Sequence, residues 1–403
     1  MDSGDLAWML ISTAMVVFMV PGLALFYGGM TRSKNVLNML LMNMVCIGFV
    51  PILWVLFTYS LGNSPNEDGS GLFGGMFIGN FEFLGLDELT GDAEALIGVA
   101  FLMTFASITP ALISGAVADR MKFSAWVIFA AIWSVIVYTP VTYWVYRGWH
   151  VTKLSPEAID FAGGTAIHIN AGVAALALIL VLGKRRGWPG EAMKPHNLPI
   201  VMIGTGILWF GWFGFNAGSA FGANGQAVQA LLNTFVAPAA AMLAWLLVEY
   251  LRDGHATTLG AASGVVAGLV AITPAAGFVG TTASIVFGLV AGVGCYFAIQ
   301  LKGRFGYDDS LDVVGVHGVG GIIGGLLLAL FADARVGGHD GVFFGEVGLL
   351  WSQLIAMGSV MVFSFVVTYA LAKVLDATIG LRVDEDDESQ GLDVTQHAET
   401  AYH

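Results

Sequence analysis

The chain has 403 residues, 57% of them hydrophobic and only 11% charged, with a mean hydropathy of +0.78. A soluble domain carries about 25% charged residues, so this composition describes an all-α polytopic membrane protein. The formal net charge of −13 argues against a nucleic-acid partner, and two cysteines in apolar runs, Cys46 and Cys295, make no disulfide framework.

A helix that spans a bilayer needs about 20 largely apolar residues. Eleven stretches qualify: 6–30, 36–61, 95–118, 124–146, 162–183, 198–218, 227–250, 257–275, 280–300, 312–332 and 344–375. No basic segment precedes residues 6–30, which are therefore expected to be a retained first span rather than a cleaved leader. The 54 glycines suit helices that pack through small residues, since lipid supplies no hydrophobic drive for helix association. Two acidic segments stand apart: the 62–94 loop (Glu67, Asp68, Glu82, Asp87, Glu88, Asp92, Glu94) and the tail (Asp384, Glu385, Asp386, Asp387, Glu388). Both are expected to be solvated. The organisation is then a membrane domain over 1–376 and a polar tail over 377–403.

Basic residues set the orientation. In an eleven-span chain, Arg32, Lys34, Arg120, Lys122, Lys184, Arg185, Arg186, Lys194, Arg252, Lys302, Arg304, Lys373 and Arg382 fall on one side, and only Arg147, Lys153 and Arg335 on the other. The positive-inside rule places the tail in the cytoplasm and the N-terminus outside.

Of the eight histidines, His150, His196, His255, His339, His397 and His403 fall in polar stretches that resemble loops or tail. Only His168 and His317 lie deep in apolar spans, where an ionisable side chain marks a pathway by default. Asp160 stands eight residues before His168, and Asp309 eight before His317. At 1.5 Å per residue each imidazole lies about 12 Å below its aspartate. Spans five and ten enter from opposite faces, so both rings approach the midplane. Residues 6–183 and 198–332 are then expected to be inverted repeats with a polar site at their interface, and 344–375 an extra helix.

Several ordered motifs carry a resemblance. They are Ala24-Leu-Phe-Tyr-Gly-Gly-Met30 with Arg32 and Lys34-Asn35; Thr109-Pro-Ala-Leu-Ile-Ser-Gly-Ala-Val-Ala-Asp-Arg120; and Asp160-Phe-Ala-Gly-Gly-Thr165 with His168. Trp209-Phe-Gly-Trp-Phe-Gly-Phe-Asn-Ala-Gly-Ser219, Asp312-Val-Val-Gly-Val-His317-Gly-Val-Gly-Gly321 and Gly391-Leu-Asp-Val-Thr-Gln-His397 complete the set. From about residue 5 to the C-terminus the chain resembles the ammonium transporters of the Amt/Mep/Rh family, nearer the microbial Amt branch. The resemblance implies a homotrimer in the plasma membrane with one hydrophobic pore per protomer, no cofactor, and no enzyme activity. It also implies ammonium (with methylammonium as analogue) as substrate, and a PII-type signalling protein as partner at the cytoplasmic face.

The resemblance also assigns residues. Ser219 matches the family's acceptor, Phe105 and Phe215 its stacked gate, with Phe101 and Trp212 nearby. Tyr146 aligns with the recruiting tryptophan and Arg147 with a glycine, which weakens cation–π capture; Trp144 or Trp149 is a possible substitute. Asp160 is expected to cap span five and to aid capture only indirectly; Asp309 or Asp312 could order the other end of the pore. A bare cation is costly in an apolar bore, so ammonium is expected to be split into ammonia and a proton, with the twin imidazoles uncharged and hydrogen-bonded to one another.

A zinc site is a poor alternative, because two imidazoles fall short of the three or four ligands it needs and no His-Glu-x-x-His occurs. Gly-x-Ser-x-Gly is absent as well, which argues against a nucleophilic hydrolase. The serious alternative is an ammonium sensor signalling through cytoplasmic partners.

Overall fold

The computed structural model describes residues 1–65 and 71–402 and consists of helices joined by loops. Ten helices among the described residues are long and apolar enough to cross a membrane. They are α1 (Ser3–Met30), α2 (Val36–Asn63), α3 (Ala93–Val117), α4 (Phe123–Thr152), α5 (Gly164–Leu182), α6 (Leu198–Gly218), α7 (Gly225–Asp253), α9 (Thr281–Phe305), α10 (Val314–Phe331) and α11 (Gly348–Thr378). Between α7 and α9 lies α8 (Thr258–Ile272), shorter at 15 residues. At 1.5 Å per residue it reaches about 22 Å, less than the ~30 Å apolar core. Buried turns at 273–279 continue its path. Non-helical backbone at that depth is tolerated because protein, not lipid, surrounds it. The eleven expected spans are thus all present, the eighth shorter than its apolar run.

α5 and α10 depart from regular helix at their histidines. His168 lies on a π-helical turn, Gly164–Ile169, and His317 on another, Val314–Gly318. Such turns recur at functional sites because they re-aim one side chain without ending the helix. The two helices cross with their backbones touching beside these turns. A Cβ on Gly172 would stand 2.3 Å from the Gly318 nitrogen, and one on Gly164 would meet the Pro274 ring at 2.5 Å. Only residues without a side chain allow this approach. α11 braces the pair from outside: Gln353 Nε2 donates to the Ile159 carbonyl at 2.6 Å and Ser364 Oγ to the Asn170 carbonyl at 3.0 Å.

At the end of the bundle where α1, α3 and α5 finish, buried charges lock the loops. Asp119 accepts from Arg32 at 3.1 Å and Arg185 at 3.5 Å, while Arg185 also grips Asp308 at 2.7 Å. Arg120, wholly buried, donates to the Gly183 and Asp308 carbonyls and to Ser310. The tail folds onto this end as α12 (Glu385–Gln390) and α13 (Leu392–His397). Here one expectation fails. Asp384, Glu385 and Asp386 are exposed, but Glu388 is buried, accepting from Arg382 at 2.6 Å and the Arg186 N–H at 2.6 Å. Asp393 is buried too and accepts the Leu37 and Asn38 N–H groups at the start of α2. Local charge density hid these partners, most of which lie about two hundred or more residues away. In the other acidic segment Glu82, Asp87, Glu88, Asp92 and Glu94 are solvated as expected; Glu67 and Asp68 lie outside the described residues.

The crossing yields an asymmetric prediction. Gly172→Ala presses a methyl into the Gly318 backbone and should cost about 1–3 kcal/mol, as overpacking does. Gly318→Ala meets nothing closer than 3.5 Å and should stay within about 1 kcal/mol of the parent. Thermal unfolding in detergent compares them; equal losses would contradict the crossing.

Candidate functional site

α2, α3, α4, the loop before α5 and the α6–α7 junction converge on a vestibule of about 440 Å³. Tyr146 and Arg147 line it from α4, Asp160 and Phe161 from the loop before α5, and Ser219 and Gln226 from the α6–α7 junction. The Ser219 hydroxyl donates to the Phe215 carbonyl at 2.8 Å, so its lone pairs remain free to accept. Asp160 caps α5: Oδ1 takes the Gly163 and Gly164 N–H groups at 2.9 and 2.7 Å, and Oδ2 those of Thr165 and Ala166 at 2.8 and 3.0 Å. Four helix-start donors, which lack partners within any helix, are satisfied by one carboxylate. Burial pushes the Asp160 carboxyl up, against the pull of these four donors.

The vestibule floor is a pair of rings. Phe105 and Phe215 stack with centroids 4.2 Å apart and planes 5° from parallel. Phe101 packs on Phe105 at 4.9 Å and lines neither cavity. Beneath lies a narrow apolar lumen walled by Met19 and Leu23 of α1, Ile108 and Leu112 of α3, Leu208 of α6 and Val266 of α8. It leaves about 10 Å³ for the centres of water-sized molecules, the least that one water requires.

His168 and His317 face each other in this lumen, with Nδ1 to Nδ1 at 3.2 Å and ring centroids at 5.3 Å. One Nδ1 must carry the shared proton while the other accepts it. The Trp212 ring stacks on His168 at 5.4 Å and 18°, itself held by its N–H on Thr273 Oγ1 at 2.8 Å. That stack orients the imidazole. His168 Nε2 is buried and has no protein partner. Below the histidines, Asp309 caps α10 by accepting Val313 and Val314 N–H at 3.1 and 2.7 Å. Asp312 instead pairs with Lys302 at 2.5 Å. Burial, and then the neighbouring Asp312, push the Asp309 carboxyl up to about 6.

Trp144 does not join the vestibule. Its N–H donates to the Phe77 carbonyl at 2.7 Å, and its ring packs on Phe363 at 4.6 Å and Trp149 at 6.1 Å. Two residues apart on regular helix, Trp144 and Tyr146 point about 200° apart, so Trp144 meets α11 while Tyr146 faces the vestibule. His150 also departs from its expected loop: it is buried and bonded to Ser359 Oγ at 2.9 Å. Residues that the sequence reading passed over include Asn63, Phe161 and Gln226 in the vestibule and the aliphatic lumen walls. The walls carry no sequence signal in a chain so rich in apolar residues. Gln226, a polar side chain at the start of α7, could have been noticed. Among the described residues no group of three or more His, Cys, Asp or Glu is placed to hold a metal.

Residues 7–402 match the model of the Ammonium Transporter Family. An ammonium transporter of Mycobacterium bovis is 49% identical over all of this chain and 90% of its own. The crystal structure of Saccharomyces cerevisiae Mep2 superposes with a TM-score of 0.87 at 34% identity, covering 96% of this chain and 91% of that one. A structure titled Sensor Amt Protein gives a TM-score of 0.89 at 26% identity and 98% coverage of both.

The cap at Asp160 sets the next expectation. Asp160→Ala leaves four buried N–H groups without acceptors, each at about 1–3 kcal/mol. Its loss of stability should exceed the roughly 2 kcal/mol ceiling of an ordinary N-cap, with Asp160→Asn intermediate because one acceptor oxygen survives. Chemical or thermal unfolding in detergent decides this, and a loss under 1 kcal/mol for the alanine variant would contradict the role.

Proposed function

The chain belongs to the ammonium transporter family, whose members are transporters and not enzymes, and we propose that it takes ammonium up through the lumen described above. Ammonium enters the vestibule, where Ser219 accepts one of its N–H bonds and Tyr146 offers a ring face. Asp160 acts indirectly, by holding the start of α5. The Phe105–Phe215 stack separates this site from the lumen and must part for passage.

An ion in the lumen would lose its hydration with no compensating charge, a heavy cost in apolar surroundings. Neutral ammonia avoids that cost, so ammonium gives up its proton to water in the open vestibule and only ammonia enters the lumen. The observation that carries the reading is the hydrogen-bonded histidine pair with an unpartnered, buried His168 Nε2 inside an apolar lumen. A buried polar nitrogen without a partner costs stability, and an ammonia molecule beside it supplies one. The two imidazoles thus act as hydrogen-bonding stations. The same reading takes 6–183 and 198–332 as inverted repeats, the basic loop face and the tail as cytoplasmic, and the assembly as a homotrimer in the plasma membrane. A PII-type protein is its expected cytoplasmic partner.

A second reading, an ammonium sensor, draws on the likeness to the structure titled Sensor Amt Protein. Methylammonium uptake into proteoliposomes separates the two, since a sensor with intact fold gives no flux. For the transporter, currents on a solid-supported membrane after an ammonium pulse, or uptake where no charge moves, should fall at least about tenfold in His168→Ala and in His317→Ala. Each substitution strands the other imidazole, at about 1–3 kcal/mol. Undiminished flux in both would sink the role of the pair. Tyr146→Trp offers a better cation–π face, and should lower the half-saturating ammonium concentration roughly two- to fivefold; unchanged saturation would remove Tyr146 as a contact.

A further inference from the structure

Gln226 is a second hydrogen-bond acceptor for the captured cation, we infer, acting beside Ser219. It sits in the first turn of α7, after the Asn224 cap, and lines the vestibule. Its Nε2 donates to the Gly277 carbonyl at 2.9 Å. A carbonyl oxygen cannot face another carbonyl oxygen, so this bond fixes which end of the carboxamide is which. The nitrogen is pinned, and Oε1 remains as the free polar atom of a vestibule-lining side chain. Among the described residues Oε1 accepts no hydrogen bond.

The anchor is rigid. Gly277 has no side chain because the Phe161 ring fills that space, 2.2 Å from where a Cβ would stand, and the Phe161 N–H is held by the Pro274 carbonyl at 3.0 Å. Backbone and ring thus hold Gln226 in one orientation. Asn63, the other carboxamide in the vestibule, contrasts with it: its amide reaches the Tyr59 carbonyl only at 3.5 Å, which leaves its orientation loosely set. Ammonium has four N–H donors, and Ser219 can take one of them. A preoriented amide oxygen takes a second without the desolvation that a buried carboxylate would add. Arg147, which lines the same cavity, repels a cation, so uncharged acceptors gain importance here.

The inference rests on the vestibule being the capture site. The test is uptake of labelled methylammonium by proteoliposomes containing the full chain, with half-saturation and maximal rate measured separately. Gln226→Leu should raise the half-saturating concentration roughly three- to tenfold, the worth of one neutral hydrogen bond, while the maximal rate stays within twofold. Gln226→Glu keeps an acceptor and adds charge, and charge-assisted bonds are stronger; its half-saturation should be at or below the parent's. A merely structural Gln226 gives another pattern, because glutamate also loses the donor to Gly277 and would then be as harmful as leucine. Half-saturation raised alike in both variants, unchanged in Gln226→Leu, or a fall in maximal rate alone would overturn the inference. A parent protein with no flux at all would sink the transport reading, and this inference about uptake with it.

Discussion

The contact that governs this molecule is the backbone crossing of α5 and α10. Gly172 lies against Gly318 with no room for a methyl on Gly172, and four residues before the first and one before the second the imidazoles meet at 3.2 Å. In lipid, helices gain nothing from hiding apolar surface, so close van der Waals approach through small residues does the work instead. The π-helical turns swing His168 and His317 toward each other. The aspartate caps at Asp160 and Asp309 satisfy the donors that each helix start exposes at depth. Turn and cap occur in both helices, and the single crossing joins them.

Everything else in the path follows from keeping that crossing dry. The lumen walls are aliphatic, and the stacked phenylalanines close its outer side. Polar groups gather in the vestibule above and the aspartate–lysine cluster below. Midway between them the lumen presents a buried ring nitrogen without a protein partner, His168 Nε2. The tail and the buried arginine–aspartate lattice then join the loops at the far end into one rigid cap.

Much of this was legible in the amino-acid sequence because the bilayer makes hydropathy and histidine position informative. Spans, loop charges and the histidine pair all follow from the cost of placing polar groups in hydrocarbon. The role of Asp160 followed from its place just before a helix. The illegible parts share a cause. Trp144 and Tyr146 lie on opposite faces of α4 because they are two residues apart, but which face meets the vestibule depends on how α4 packs against α11. His150 and Glu388 looked solvated because their partners, Ser359, Arg186 and Arg382, include residues about two hundred positions away. Lumen-facing leucines were invisible among so many others, and a π turn has no distinct sequence period.

The most direct test of the central claim is nitrogen NMR on protein labelled with 15N-histidine in lipid. A shared proton between His168 and His317 should give a resolvable coupling across the Nδ1–Nδ1 hydrogen bond. The Nε2 resonance of His168 should shift on adding ammonium. Two imidazoles with no mutual coupling, and Nε2 signals indifferent to ammonium, would contradict the account.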